Sequence, residues 1–256
     1  MRRIRLGSIH VDYVTQAEAI DLIIDRAGSR KGGYIVTPNV DHIVIAESNE
    51  KLRAAYADAT LSLADGMPLI WASKLMGRPL PEKVSGSDLI RPLLQAAAGA
   101  GMRVYLMGAA PGIGLAAAQR LVEEMPALAI VGADSPPLGF DVDKDLERAV
   151  IDKMVAARPD IALIALGCPK QEILMHRWYR ARIGPVMLGI GASLDFIAGK
   201  VKRAPPWMSD HGLEWVFRLI QDPRRLAKRY IVRDARIVGI LARMLREPRS
   251  TWFFES

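Results

Sequence analysis

Asp65 is the residue of this chain whose position best suits acid–base chemistry. It lies in the segment Leu63-Ala64-Asp65-Gly66-Met67-Pro68, directly after a strand-like apolar run. A carboxylate at the end of a buried strand is partly desolvated, which raises its pKa and suits a general base that takes a proton from a hydroxyl group. An aspartate just before a helix also serves as an N-cap. The spacing alone leaves both roles open.

A glycine-rich turn follows the strand-like residues 103–108 and precedes an alanine-rich helix at residues 115–124. Its glycines Gly108, Gly112 and Gly114 would let backbone N–H groups at the helix N-terminus approach a nucleotide diphosphate. The four-residue gap from Gly108 to Gly112 differs from the dinucleotide-binding pattern. We also expect residues 130–134 to be short and turn-rich, without a second strand that ends in an acid. A diphosphate contact and a purely structural turn remain alternatives.

The turn at residues 167–172 follows the most apolar strand of the sequence, at residues 161–166. Gly167 and Pro169 force the turn, and a helix then begins at the same edge of the sheet. The amide of Gln171 offers both a donor and an acceptor, as sugar recognition needs. Because no histidine is evident beside Cys168, we interpret this residue as part of the core and not as a nucleophile.

Acidic and histidine residues give little indication of a metal site. Asp141-Val142-Asp143 has the form of an acidic metal-binding signature, but it directly precedes the helical pattern of residues 144–156, so helix capping is favoured. The four histidines are scattered, and no pair has metal-ligand spacing. We therefore predict no metal and no other cofactor.

The elements that must position these residues are strand-like apolar runs that alternate with helical patterns. This alternation predicts an α/β fold with a Rossmann-like, mostly parallel sheet flanked by helices. Several strands end in small or polar residues, at the edge where open parallel sheets bind ligands. The basic N-terminus lacks the apolar run of a signal peptide, and no apolar run is long enough to span a bilayer.

The positive charge of the chain is concentrated at its C-terminal end. The sequence holds 35 basic and 28 acidic residues, a net charge of +7. Residues 200–256 contain 13 basic and 6 acidic residues, so the remaining 22 of each sign cancel in residues 1–199. This asymmetry indicates a polyanionic partner. With Pro205-Pro206 as a boundary signal, we predict a catalytic domain at 1–199 and a helical appendage at 200–256.

The appendage has an amphipathic pattern. Five arginines fall on one face of a helix after Pro223; they are Arg225, Arg229, Arg233, Arg236 and Arg243. A basic amphipathic helix can lie in a membrane interface, and Trp252-Phe253-Phe254 would suit the same place. The alternative is a helix that packs on the domain with its arginines in water.

Several motifs, in this order, resemble the WecG/TagA/CpsF family of glycosyltransferases (glycosyltransferase family 26). They are Thr37-Pro38-Asn39, Ala64-Asp65-Gly66, the turns at 108–114 and 167–172, the run 191–208 and the run 212–225. The resemblance covers residues 4–235. It implies an inverting, metal-independent enzyme that moves a sugar from a UDP-sugar to an undecaprenyl-diphosphate-linked saccharide in cell-surface polysaccharide synthesis. It also implies a GT-E-type fold whose C-terminal appendage docks peripherally on the cytoplasmic face of the inner membrane.

The resemblance also implies roles for individual residues. Asp65 matches the proposed catalytic base, Thr37, Asn39 and Gln171 match residues of the sugar pocket, and Asp195 matches a nucleotide contact. Arg218, Arg225 and Arg229 resemble the arginines that hold the acceptor diphosphate, although neighbouring Arg224 leaves the register open. Lys83 stands where relatives often have arginine, so a phosphate contact there would keep its charge and lose the bidentate geometry.

Two other classes of protein compete with this interpretation. A nucleotide-dependent oxidoreductase on a Rossmann-like sheet is disfavoured by the glycine spacing. A nucleic-acid-binding protein that uses the basic tail is disfavoured because aromatic residues are sparse along the arginines and the body is neutral. The sequence does not choose the donor sugar, and an apolar appendage face leaves a homo-oligomer possible.

Overall fold

The computed structural model of the chain describes residues 1–205, 207–208 and 212–255; within these, the side chains of Arg225, Arg249, Phe254 and Glu255 are not described. Pro206, half of the predicted boundary signal, and His211 therefore lie outside the described residues. No helix of the described part is both long enough and apolar enough to cross a bilayer.

Nine strands form two sheets in the described part of the chain. Their bounds are β1 Arg2–Leu6, β2 Ile9–Asp12, β3 Gly33–Val36, β4 Leu61–Ser62, β5 Arg103–Gly108, β6 Ala129–Asp134, β7 Ile161–Ala165, β8 Val186–Gly189 and β9 Phe253–Glu255. Six of them form a sheet of order β4-β3-β8-β7-β5-β6 in which every neighbouring pair is parallel. The predicted α/β fold with a Rossmann-like, mostly parallel sheet is confirmed.

Helices connect the strands and cover the large sheet. The α-helices of the main body are α1 Gln16–Gly28, α2 Val40–Ala46, α3 Glu50–Ala57, α4 Met67–Leu75, α5 Gly86–Gly99, α6 Ile113–Glu124, α7 Lys144–Ala156, α8 Lys170–Arg180 and α9 Ser193–Ile197. Alternate strand residues enter two separate cores, as helices on both faces of a parallel sheet require. Tyr34 and Met187 belong to one core, and Ile35 and Leu188 belong to the other.

The C-terminal segment is helical but is not one regular α-helix. It contains α10 Glu214–Gln221, α11 Pro223–Ala227, a π-helical turn at Lys228–Arg233, a 3-10 turn at Asp234–Arg236 and α12 Ile237–Met244. A π-turn changes the angle between successive side chains, so the predicted arginine stripe does not continue along one face. Arg229 and Arg233 pair with Asp41 of α2, and Arg243 pairs with Glu47. These three arginines therefore contact the α/β body, so the segment packs on the domain, as the alternative expects, while Arg233 and Arg243 remain 44% and 58% exposed. A membrane-facing role for the arginines stays a prediction.

The last strand joins the small sheet, which has the order β2-β1-β9 and is antiparallel. Trp252 is 3% exposed, and its indole N–H donates to the Met244 carbonyl oxygen at 3.1 Å. Pairing with β1 satisfies backbone groups that an open edge would leave exposed. The prediction that Trp252 and Phe253 sit in a membrane interface is therefore wrong, because one is buried in the core and the other pairs in the sheet. The proposed division at 199/200 stays a prediction.

The region around residues 130–134 is also different from the prediction. It forms strand β6, which pairs with β5 and ends in an acid, Asp134. Gly132, which gave the segment its turn-like appearance, lies against an aromatic ring. A Cβ on this glycine would come within 2.3 Å of the Tyr105 ring. The glycine makes room for that ring and does not turn the chain.

Candidate active site

The carboxyl ends of β3, β4 and β8 bring several predicted residues to one edge of the sheet. The Thr37 hydroxyl, after β3, donates to the carbonyl oxygen of Gly189 at the end of β8, at 3.2 Å. The backbone N–H of Asp65, after β4, donates to the Pro38 carbonyl oxygen at 2.9 Å. Three loops are thus joined by hydrogen bonds at the edge where ligands of parallel sheets bind.

Asp65 does not cap the helix that follows it. Gly66 is the N-cap of α4, with φ of +118° and no side-chain cap, so the capping alternative for Asp65 is wrong. Burial raises the pKa of Asp65 to about 7; Glu214 adds to the rise, while Arg218 and Lys83 oppose it. A carboxyl group with this pKa exchanges a proton readily near neutral pH.

Lys83 is held close to Asp65 by a second aspartate. Its Nζ lies 2.9 Å from Oδ2 of Asp88, which also pairs with Arg203 and accepts a hydrogen bond of 2.7 Å from the Ser85 hydroxyl. Although burial opposes the change, these contacts lower the pKa of Asp88 to about 2. Asp88 therefore remains a carboxylate that holds the Lys83 side chain in place.

The two amide side chains predicted for the sugar pocket both make bonds to the protein. The Asn39 side-chain oxygen accepts from His42 N–H at 3.3 Å and caps α2. Gln171 is buried; its oxygen accepts from Gly167 N–H at 3.2 Å and Gly191 N–H at 3.1 Å. Gln171 thereby ties the loop after β7 to the loop after β8. A sugar contact of either amide stays a prediction.

Close packing requires a glycine at some positions of the glycine-rich turn, whereas at others a side chain would have space. Gly108 has φ of +113°, and a Cβ there would lie 2.3 Å from the carbonyl oxygen of Ala165 in β7. This glycine is required by the close approach of two strands. Gly112 has φ of +83° and caps α6, with open space around its Cβ position. Gly114 lies in the first turn of α6, near Ala133 of β6.

The end of β6 lies beside this turn. The Ser135 hydroxyl hydrogen bonds to the carbonyl oxygens of Gly108 at 3.3 Å and Ala110 at 3.1 Å. Asp134 accepts hydrogen bonds from the Tyr105 hydroxyl and from Lys153. An acid that was not expected from the sequence therefore stands next to the candidate diphosphate turn, and recognising β6 as a strand would have revealed it.

The predicted arginines of the appendage lie in different environments. Arg218 is in α10, 3.0 Å from Glu214, with its guanidinium 5.1 Å from the ring centre of Phe196. Phe196 follows Asp195 in α9, so Arg218 and Asp195 belong to neighbouring surfaces. Arg229 Nε lies 3.1 Å from Asp41 Oδ2. Arg225 lies in α11, and its side chain is among those not described.

A buried ionisable cluster that was not expected from the sequence lies behind these loops; we define it as Asp41, His42, Cys168 and Glu172. His42 Nδ1 is 2.7 Å from the Tyr56 hydroxyl oxygen and 3.9 Å from Glu172 Oε1. The interpretation that no histidine stands beside Cys168 is wrong, because α2 brings one there from a distant part of the sequence. Two features of the sequence could have pointed to this cluster. His42 follows the predicted pocket residue Asn39 by three residues, and Glu172 directly follows the predicted pocket residue Gln171.

Burial sets the protonation of this cluster. It raises the pKa of Glu172 to about 7 and lowers that of His42 to about 3. Burial and the nearby Glu172 carboxyl raise the pKa of the Cys168 thiol, which disfavours a thiolate nucleophile. The ligand atoms of His42, Cys168 and Glu172 all lie within 4.8 Å of one another, so these residues could hold a metal ion. The absence of a metal requirement stays a prediction.

The acidic pair at 141–143 behaves as the capping interpretation predicts. Asp143 is the N-cap of α7, and its carboxylate accepts from the N–H groups of Asp145 at 2.9 Å and Leu146 at 3.0 Å. Asp141 pairs with Lys170 at 2.8 Å. Both carboxylates are therefore used within the protein.

Comparison with known proteins identifies the family of the chain. Residues 4–251 match the model of the family described as "Glycosyl transferase WecG/TagA/CpsF family". A relative from Bacillus spizizenii, named N-acetylglucosaminyldiphosphoundecaprenol N-acetyl-beta-D-mannosaminyltransferase, is 35% identical over 195 residues, which cover 76% of this chain and 74% of the relative. The family match runs through the sheet, its carboxyl edge and most of the C-terminal segment. The chain belongs to the WecG/TagA/CpsF family of glycosyltransferases.

Proposed function

We propose that this protein transfers a sugar, with inversion, from a UDP-sugar to undecaprenyl-diphosphate-linked N-acetylglucosamine in the synthesis of a cell-surface polysaccharide. The observation that carries the proposal is Asp65: a carboxyl group at the carboxyl edge of a parallel sheet, with a pKa raised to about 7, in a chain of this family. The acceptor is taken from the name of the Bacillus relative.

Asp65 acts as the general base. Its carboxylate takes the proton from the acceptor hydroxyl while that oxygen bonds to the anomeric carbon of the donor. The bond from the anomeric carbon to the UDP oxygen breaks at the same time, and the electron pair leaves with UDP. A single displacement of this kind inverts the anomeric centre. General-base catalysis is most effective when the pKa of the base lies near the working pH, as burial provides here.

The donor lies across the loops at the carboxyl edge. Backbone N–H groups of the turn at 108–114 face the diphosphate, and Asp195 contacts the nucleotide. Thr37, Asn39 and Gln171 line the sugar. Gln171 and Asn39 hold their loops in place through backbone hydrogen bonds, so the pocket is organised before the donor binds.

The acceptor diphosphate lies against the arginines of the C-terminal segment and Lys83. Arg218, Arg225 and Arg229 supply positive charge where negative charge develops on the leaving UDP. In this arrangement the arginines do the work that a metal ion does in other transferases, and no metal is required. Arg229 exchanges part of its contact with Asp41 for the acceptor.

The C-terminal segment also places the enzyme peripherally on the cytoplasmic face of the inner membrane, where the acceptor is held. Ile231 and Val238 are 67% and 70% exposed, in a segment with six basic residues between 224 and 236. Exposed apolar side chains beside basic ones suit an anionic lipid surface. The same apolar side chains would form the contact if two copies of the chain associate.

A donor screen tests the proposal. The purified protein is incubated with a panel of UDP-sugars, UDP-N-acetylmannosamine among them, and a short-chain lipid-diphosphate N-acetylglucosamine, and product mass is recorded. We expect the mass of one added sugar with at least one donor, in the presence of EDTA as well as without it. Binding of NAD(P) without binding of UDP would reject the proposal in favour of the oxidoreductase alternative.

A further inference from the structure

An apolar groove lies between α2, α4 and α12. It has a volume of about 250 Å³. Its walls include Val40 from α2, Trp71 and Leu75 from α4, and Ile237 and Leu241 from α12. None of the residues predicted for the sugar or the nucleotide lines it. The groove is thus a separate feature of the molecule, suited to an apolar ligand.

One end of the groove lies next to the loops of the candidate active site. Helix α2 begins directly after Asn39, and α4 begins two residues after Asp65. Val40 and Pro68, at the starts of these helices, both line the groove. A ligand in the groove therefore begins beside the base and the predicted sugar pocket.

The wall formed by the C-terminal segment combines charge and apolar surface. Arg233 Nε lies 2.5 Å from Asp41 Oδ1, and Asp41 stands between groove residues Val40 and Ile43 on α2. Ile237, on the groove, is the first residue of α12 and is separated from Arg233 by the 3-10 turn at Asp234–Arg236. Along both α2 and the C-terminal segment, a charged region thus lies next to the apolar groove. This arrangement fits an amphiphile with an anionic head.

We propose that this groove binds the first isoprenoid units of the acceptor's polyprenyl chain; the proposal rests on the proposed function. An apolar cavity of roughly 150 Å³ is enough to bind benzene, so the volume here accommodates more than one isoprene unit. The rest of the polyprenyl chain continues past Trp71 and Leu75 at the outer end of the groove, where these two side chains are 50% and 67% exposed. An acyl chain of a bilayer lipid fits less well, because the groove begins at the reacting loops and its occupant must be attached to the group that reacts there.

The test compares two soluble acceptors, a farnesyl and a butyl diphosphate-linked N-acetylglucosamine, without detergent or membrane. We expect wild-type KM to be at least about tenfold lower for the farnesyl acceptor, because its tail leaves water. Leu75→Ser should bring the ratio of the two KM values close to one. Leu115→Ser is the matched control, since Leu115 is 59% exposed on α6 and Leu75 is 67% exposed on α4; it should keep the wild-type ratio.

A binding measurement separates this proposal from the proposed function. Farnesyl diphosphate alone is titrated calorimetrically into wild type, Leu75→Ser and Ala72→Phe, the last of which fills the groove; thermal unfolding confirms that each variant is folded. We expect about tenfold weaker binding in both variants. If this loss is seen but neither acceptor is glycosylated, the groove is correct and the proposed function fails. If transfer occurs with equal KM for both tails, or if Leu75→Ser affects only binding to phospholipid vesicles, the groove assignment is wrong.

Discussion

Arg229 Nε lies 3.1 Å from Asp41 Oδ2, and this ion pair connects the C-terminal segment to the helix that begins at the candidate active site. Asp41 is buried and also receives Arg233 at 2.5 Å. Its neighbour His42 contacts Glu172, which follows Gln171. The basic segment is therefore linked through two residues of α2 to the loops at the carboxyl edge of the sheet.

The first prediction concerns the energy of this link. The double variant Arg229→Gln/Arg233→Gln leaves Asp41 buried without its cationic partners, which should cost about 3–5 kcal/mol of docking free energy. Hydrogen exchange of residues 223–244 measures the loss. Arg243→Gln is the control, because its pair with Glu47 is more exposed and should contribute about 1 kcal/mol or less. Equal protection in both variants would contradict an anchoring role for Asp41.

The second prediction concerns Asp65 as the base. Asp65→Asn should lower kcat by about 10²- to 10⁴-fold while UDP binding stays close to wild type. Since the base works only when it is deprotonated, the wild-type rate should fall as pH decreases below about 7. Near-normal turnover in Asp65→Asn, or a wild-type rate that does not change with pH across the neutral and mildly acidic range, would reject the assignment.

The third prediction concerns stability and Glu172. Because burial raises its folded pKa to about 7, the stability it contributes is fully present below the unfolded pKa, near 4.5, and is lost as pH rises through 7. Wild type should therefore lose about 1–3 kcal/mol of unfolding free energy, relative to Glu172→Gln, when the pH is raised from about 5 to about 8. Denaturant unfolding at both pH values measures it. Glu50→Gln, on an exposed turn of α3, is the control and should show a much smaller difference.

The fourth prediction concerns Arg218, which stacks over Phe196 near Asp195. Arg218→Lys keeps the charge but loses the planar group that stacks and binds phosphate in a bidentate manner. We expect the acceptor KM to rise about tenfold. Steady-state kinetics with the acceptor varied provide the measurement, and Arg236→Lys, at an exposed position, is the control. An unchanged acceptor KM would remove Arg218 from the diphosphate site.

The fifth prediction concerns the membrane surface. Ile231→Ser/Val238→Ser removes two exposed apolar side chains and should weaken binding to anionic vesicles at least about tenfold. Sedimentation with vesicles measures the bound fraction. Leu138→Ser is the control, since Leu138 is 99% exposed in the loop before α7. Equal binding of all three proteins would show that the C-terminal segment does not contact lipid through these residues.

The large parallel sheet could be predicted because its strands are buried on both faces and appear as continuous apolar runs. Because the carboxyl ends of parallel strands meet at one edge of a sheet, the amino-acid sequence alone also predicts that Thr37 and Asp65 lie in the same region. Strand β6 was missed because its glycine accommodates a ring and resembles a turn signal. The pairing of β9 with β1 depends on a contact between segments far apart in sequence, which no local pattern contains.

The buried ionisable cluster illustrates a second limit. His42 lies in α2, far in sequence from Cys168 and Glu172, which share one turn and the helix after it, and each alone looks like a helix or core residue. Their pKa values are set by burial, which depends on packing. The π-turn at Lys228–Arg233 has the same consequence for the arginine stripe, since an ideal helical angle does not predict which arginines face Asp41.

The pairing of β9 with β1 has a consequence for biosynthesis. Residues 253–255 leave the ribosome after the strands that they join, so they complete a sheet whose other members are made first. The small sheet therefore stays unfinished until β9 emerges, and α12, which leads into β9, reaches its final place only then. The groove between α2, α4 and α12 therefore receives the wall formed by α12 after the walls formed by α2 and α4 are in place.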